Sequence, residues 1–357
     1  MKELDELLQE EDVSLHIDKM INKKMNKVLS SKVIKILLCI ILVIAAITSG
    51  ILFIYDMSCY NPYNEEEFLP ENNSNDYSEF NALLTTYIQM HYPGQICHPI
   101  ELYEGEEKTG IGKYSIHTKI QDASKYLVLS GNYNVVFEIS NSKLTVNDYG
   151  LEHPGLARIV YEFKNTNEKE AESQYSDNVN YIYDEVKELP DSAMINTSIS
   201  FKEDLSLKQI IELMNEYDNV GFYWLALQGM NDYNTVGVAG GMSLLDSSNY
   251  GFNEESEKRY PDFYVSKSKY TEETLKQKYL SKLQLLIDHP EFIKVMSTYF
   301  HDITLDDLKR RQEIAEEQMN VYGVKVNIQK KDLLKMIEEK DISYIYIHDI
   351  KLSRYSK

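Results

Sequence analysis

Eight histidines, three cysteines and a large surplus of carboxylates are the residues with which this chain could do chemistry. His16, His91, His98, His117, His153, His289, His301 and His348 are scattered without ligand spacing, and no H-E-x-x-H or C-x-x-C pattern accompanies them. No G-x-S-x-G, Walker A or G-x-G-x-x-G pattern supplies a nucleophile or a phosphate cradle. Gly237-Val238-Ala239-Gly240-Gly241 could offer backbone amides to an anion. No Lys-Ser or Lys-Thr comes after it to open a helix, so the run reads as a bend or bulge beside a strand. Phe222-Tyr223-Trp224, among 28 tyrosines in the chain, could line a carbohydrate or peptide groove, but these rings suit strands and a core better. No catalytic residue, metal or cofactor is expected. A membrane-anchored wall hydrolase would need an acid pair, nucleophile or metal set that the spacing does not provide.

Of the cysteines, Cys39 lies within an apolar run, which leaves Cys59 and Cys97 as the pair available for a disulfide, with two free thiols as the alternative.

The elements that would position any site begin with residues 36–54, an uncharged apolar stretch opened by Ile36 and closed by Ile54. At 1.5 Å per residue it spans about 28 Å, against a bilayer core of about 30 Å, and reads as a transmembrane helix. Lys19, Lys23, Lys24, Lys27, Lys32 and Lys35 precede it, whereas Asp56, Glu65, Glu66 and Glu67 come after it, so the N-terminus is expected in the cytoplasm. Up to Lys35 seven lysines balance seven acids, so the formal net charge of −20 belongs wholly to the residues beyond the span. Such an acidic body excludes nucleic acid as a partner. The acidic leader and the absence of an A-x-A-like site favour a retained anchor over a cleaved signal peptide.

Before the span, Leu4, Leu7 and Leu8 form one apolar face, and Ile17, Met20, Ile21, Met25, Val28 and Leu29 recur at helical steps with lysines opposite. That leader either lies against anionic lipid heads or docks into a groove of a cytoplasmic protein. Beyond the span, residues 56–78 are polar and read as a flexible tether. A helix near 80–90 and alternating stretches over 114–120, 133–139 and 159–163 make residues 79–172 a sheet-rich module, and the polar stretch 165–178 reads as the boundary to the next. There, a strand over 195–201, a helix over 205–217 and a strand over 221–227 form a βαβ-like unit. A strand over 321–328, a helix over 331–339 and a strand over 342–350 repeat it. Helices over 272–287, 291–300 and 305–319 lie between them. The fold expected is α+β: a single N-terminal transmembrane helix, then extracytoplasmic modules, the last with two βαβ-like units in a mixed sheet.

The order of these landmarks resembles bacterial single-pass anti-sigma factors with sigma factor regulator N-terminal and C-terminal domains. The resemblance rests on Glu188-Leu189-Pro190-Asp191-Ser192, Ser200-Phe201, Leu205-Ser206-Leu207, Tyr223-Trp224-Leu225-Ala226, Val236-Gly237-Val238 and Val321-Tyr322-Gly323-Val324-Lys325-Val326. It covers residues 179–350, with the leader and span resembling the N-terminal segment. It implies a protein of the bacterial cell membrane divided into a cytoplasmic leader (1–32), a transmembrane helix (33–55), the tether, the sheet-rich module and a regulator domain (173–357). The leader would restrain an alternative sigma factor of the extracytoplasmic-function type, and the outer domain would sense envelope state. Leu4, Leu7, Leu8, Ile17, Ile21, Met25 and Val28 then become the sigma-facing surface. The leader departs from zinc-containing anti-sigma domains in lacking His-x3-Cys-x2-Cys and in its length of about 35 residues, so a helper protein or a second membrane protein is expected to share the task. The competing expectation is an anchored extracytoplasmic ligand- or peptide-binding module with no sigma factor contact.

Overall fold

The computed structural model describes residues 2–64, 67–69, 78–99, 106–122, 132–147, 168–227, 240–245, 252–299 and 303–352; at 2–17, 96–99, 106–107, 119, 121–122, 132–134, 147 and 168–177 it describes the backbone alone. The chain divides into two compact units, residues 1–58 and 59–357.

The first unit is one helix, α1 (Lys2–Ser58). No glycine precedes Gly50 and no proline precedes Pro62, so the usual causes of a kink are absent from the leader and most of the span. From Asp18 to Ser58 it is long and apolar enough to cross a membrane, with none of its most apolar window buried by protein. Thr48 Oγ1 donates to Ile44 O and Ser58 Oγ to Tyr55 O, so these hydroxyls are satisfied without water.

The second unit contains two sheets. The first joins β1 (Gln95–Pro99), β2 (Glu106–Gly110), β3 (Lys113–Asp122), β4 (Asn132–Ser140) and β5 (Lys143–Asn147) in the order β1-β3-β4-β5, with β2 also on β3. β4 turns into β5 through Asn141 and Ser142, both at positive φ, as a two-residue hairpin of matching twist requires. Helix α2 (Glu79–His91) precedes this sheet. The strand expected over 159–163 lies outside the described residues.

The second sheet comes after α3 (Glu168–Lys187) and contains β6 (Ala193–Ser206), α4 (Leu207–Glu216), β7 (Gly221–Leu227) and β8 (Gly241–Ser243). After α5 (Glu254–Arg259), α6 (Glu272–Asp288), α7 (Pro290–Met296) and α8 (Leu305–Glu317), the chain returns as β9 (Asn320–Gln329), α9 (Lys330–Glu339) and β10 (Ile342–Leu352). The strand order is β10-β6-β9-β7-β8 with every described pairing antiparallel. Both expected βαβ-like units are present, but interleaved: β6 runs parallel to β7 with β9 between them, and β9 runs parallel to β10 with β6 between them. This is the split βαβ arrangement of ferredoxin-like folds.

One face of this sheet, with Ile195, Ile199, Val326, Ile328, Leu225 and Ile345, shares a core with Ile210 and Leu213 of α4 and Leu333 and Met336 of α9. That core runs on without a break through Leu275, Tyr279 and Leu283 of α6 to Phe80 and Leu83 of α2 and Ile116 and Phe137 of the first sheet. Residues 59–357 thus cohere as one body across the polar stretch read as a boundary, of which residues from Glu168 onward are helical. Asn178 Oδ1 of α3 accepts the Ile345 amide at 3.0 Å, covering the outer edge of β10. Within the segment read as a tether, Phe68 and Leu69 are buried, and Phe68 meets Phe252 and His289 edge-on at 6.0 and 5.3 Å.

Candidate functional site

On a helix turning 100° per residue, Ile17, Ile21, Met25 and Val28 fall within an arc of about 80°. Ile21, Met25 and Val28 are each more than half exposed. Lys19, Lys23 and Lys27 step along the opposite flank at intervals of four residues. The side chains of Leu4, Leu7, Leu8 and Ile17 lie outside the described residues, although the backbone carrying them is helical. Leu4, Leu7 and Leu8 are centred about 100° around the axis from the second group, so an unbroken helix presents two apolar faces a quarter-turn apart. A solvated helix does not keep such a stripe uncovered; lipid or a partner protein must bury it. Because the leader continues straight into the span, laying it flat on the bilayer would break backbone hydrogen bonds at the junction.

After the membrane span, the distinctive surface is the other face of the second sheet. Strand register sets Tyr346, Ser198, Lys325, Trp224 and Ser243 in one transverse row, with Asn196 and Asn327 in the next. A bulge in β7 between Phe222 and Trp224 turns the indole to this side. Ser198 Oγ lies 2.9 Å from His348 Nε2. Lys325 is 1% exposed, and its Nζ donates to Pro93 O at 3.2 Å. Gly94, at φ 72°, passes so close that a Cβ there would sit 2.9 Å from Lys325 Cδ. Asn196 Oδ1 and Trp224 Nε1 are buried without a hydrogen-bond partner among the described residues. The cavity beside Trp224, lined by Pro93, Ser198, Ile199, Trp224, Ala226, Val324 and Lys325, is about 10 Å³ and has room for one water. A serine bonded to an imidazole is the starting geometry for a nucleophile, but this space admits no acyl or phosphoryl substrate.

The described histidines remain apart. His91 is in the helical core, His117 Nε2 lies 3.3 Å from Ser115 Oγ, His289 packs on Phe68, and His348 is on β10. The side chains of His16, His98, His153 and His301 are outside the described residues. No group of three or more His, Cys, Asp or Glu that could hold a metal occurs among the described residues. Cys59 is a free thiol packed over Gly112, and the Cys97 side chain is outside the described residues. Phe222, Tyr223 and Trp224 are all buried, as core residues rather than groove lining. Gly241 opens β8 beneath the Trp224 ring, while Gly237, Val238 and Ala239 lie outside the described residues. The row around Lys325 was missed in the sequence; its one signal was a lysine alternating with valines in Val324-Lys325-Val326.

Residues 186–349 match the family model for the sigma factor regulator C-terminal region. The match runs from the end of α3 into β10 and encloses both split βαβ units. No curated protein and no solved structure matches the chain.

Proposed function

We propose, from the match of residues 186–349 to the sigma factor regulator C-terminal model, that this chain is a membrane-anchored anti-sigma factor whose leader restrains an extracytoplasmic-function-type sigma factor. The observation that carries this reading is the exposed stripe of Ile21, Met25 and Val28, continuous with an apolar span, in a chain bearing a regulator domain. The lysines before the span and the acids after it favour a cytoplasmic leader and an outer regulator domain. The domain after the membrane senses envelope state, and a second membrane protein shares the sigma-facing task because one helix covers only one or two grooves.

The test uses the full chain, expressed in bacterial membranes and recovered with its bound proteins for mass spectrometry. Wild type is compared with a variant carrying Leu7→Asp, Ile17→Asp, Ile21→Asp and Met25→Asp. A sigma factor enriched with wild type and lost with the variant, alongside a rise in sigma-dependent transcription, is the expected result. Equal transcription at equal protein levels, with no sigma factor recovered from either, would replace this reading with an anchored extracytoplasmic binding module.

A further inference from the structure

The sheet of β1 to β5 ends in two turns that lie side by side. Register sets Gly110, Lys113, Ser140 and Lys143 in one row across β2, β3, β4 and β5, so the turns at Ile111-Gly112 and Asn141-Ser142 share one end of the sheet. The Asn141 amide donates to Gly112 O at 3.0 Å and ties them together. The next row, Tyr114, Ile139 and Leu144, is buried. Alternation therefore turns Lys113 and Lys143 outward, and both are exposed.

These turns hold the first residues after α1. Gly112, at φ 59°, lies so close to Cys59 that a Cβ there would sit 2.7 Å from its Sγ, and the Tyr60 amide donates to Ser142 Oγ at 2.8 Å. Two consecutive residues thus engage one turn each. The apolar run closes at Ile54, and α1 continues to Ser58. Five residues at 1.5 Å each put Cys59 about 7 Å beyond the hydrocarbon, level with the outer part of a headgroup layer about 5–7 Å thick.

What the turns expose suits that layer. Ile111, at the tip, is 43% exposed. Tyr63, 50% exposed, meets Tyr114 edge-on at 5.8 Å, and Lys108 Nζ lies 5.6 Å from the centre of the same Tyr114 ring. An apolar tip with a tyrosine and lysines around it has the composition of an interfacial anchor. The chain as a whole has a net charge of −20, yet residues 108–121 and 139–147 contain no Asp or Glu. Asp56 and Glu67 flank the clamped segment, but neither turn carries an acid. An acidic body is repelled by an anionic surface, and these turns are the part of it that such a surface attracts.

We propose that the paired turns bind anionic phospholipid headgroups: Ile111 enters the interface, and Lys113 and Lys143 meet lipid phosphates. This is a second membrane contact beside the span, and it requires no sigma factor.

The test uses the full chain in lipid nanodiscs, with the photocrosslinker p-benzoylphenylalanine at Ile111 or, as a control, at the exposed Lys208 of α4. Intact mass spectrometry after irradiation counts chains carrying one lipid. Discs of phosphatidylglycerol should give an adduct at position 111, at least about threefold more than discs of phosphatidylcholine, because each lysine near an anionic surface strengthens contact about fivefold. Raising NaCl from about 0.05 to about 0.5 M should erase most of that difference. Lys113→Glu with Lys143→Glu should do the same without changing Tm, whereas reversing the exposed Lys208 and Lys331 should not. Three results would each overturn the proposal: no adduct at 111, equal yields at 111 and 208, or a yield at 111 indifferent to lipid charge. Undiminished crosslinking by the folded Lys113→Glu, Lys143→Glu chain would do so as well.

Discussion

Two glycines illustrate how position alone decides the cost of a methyl group. A Cβ on Gly241 would fall within the Trp224 ring and 2.5 Å from Leu225 O, whereas one on Gly50 would meet nothing within 4 Å. Gly241→Ala should destabilise the second unit by about 1–3 kcal/mol, the usual cost of overpacking, and Gly50→Ala should leave it unchanged; thermal unfolding of the full chain in micelles compares them. Glu216 offers a signed dependence on pH. Its carboxyl is held below the ordinary range first by the Lys340 Nζ bond, at 2.6 Å, with further help from the charges of Lys340 and Lys335. A depressed carboxylate contributes stability above the unfolded-state pKa and loses it as pH falls through the folded one. Glu216→Gln should therefore cost under about 1 kcal/mol at pH 7, the pair being partly exposed, and the difference from wild type should shrink as pH falls through the depressed folded-state value, as read by chemical denaturation. The candidate row was hardly legible from the residues themselves. Lys325, Ser198 and Trp224 come from three different strands, and only the pairing register makes them neighbours.

Helix α4 owes its start to Ser206, whose Oγ accepts from the Gln209 amide while Gln209 Oε1 accepts from the Ser206 amide. Losing that capping box through Ser206→Ala should cost about 1 kcal/mol in unfolding free energy, and Ser206→Asp should restore most of it, as read by denaturant titration. Elements with strong periodicity were legible nearly to their ends. Strand β9 exceeds the stretch 321–328 by one residue at each side, and α9 begins one residue earlier than read. Where periodicity was lacking, elements or their ends were lost: β2 (Glu106–Gly110) has no apolar alternation, and the first turns of α3, beginning Glu168-Lys169-Glu170, have the charged composition of a linker. The βαβ-like units could be seen in the sequence, but their interleaving could not, because the helix-linked strands look the same whether adjacent or separated by a third strand.

For the whole molecule, a shared core means that neither half of residues 59–357 should stand alone. A fragment of residues 59–357 should unfold cooperatively, while one of residues 173–357, deprived of Phe80, Leu83 and Phe137, should bind hydrophobic dyes and show no sharp calorimetric transition. The strand order has a further consequence, for timing during synthesis. Both neighbours of β6 are latecomers: Met194 pairs with Gln329, and Ser198 with Tyr346. As the chain emerges from the ribosome, β6 must wait for well over a hundred residues before either flank is occupied, its amides and carbonyls open to any other strand in the meantime. The final strand is thus a checkpoint: a chain stopped just before Ile342 leaves β6 with an unclosed edge and should be cleared by proteolysis, so only chains extended through β10 persist.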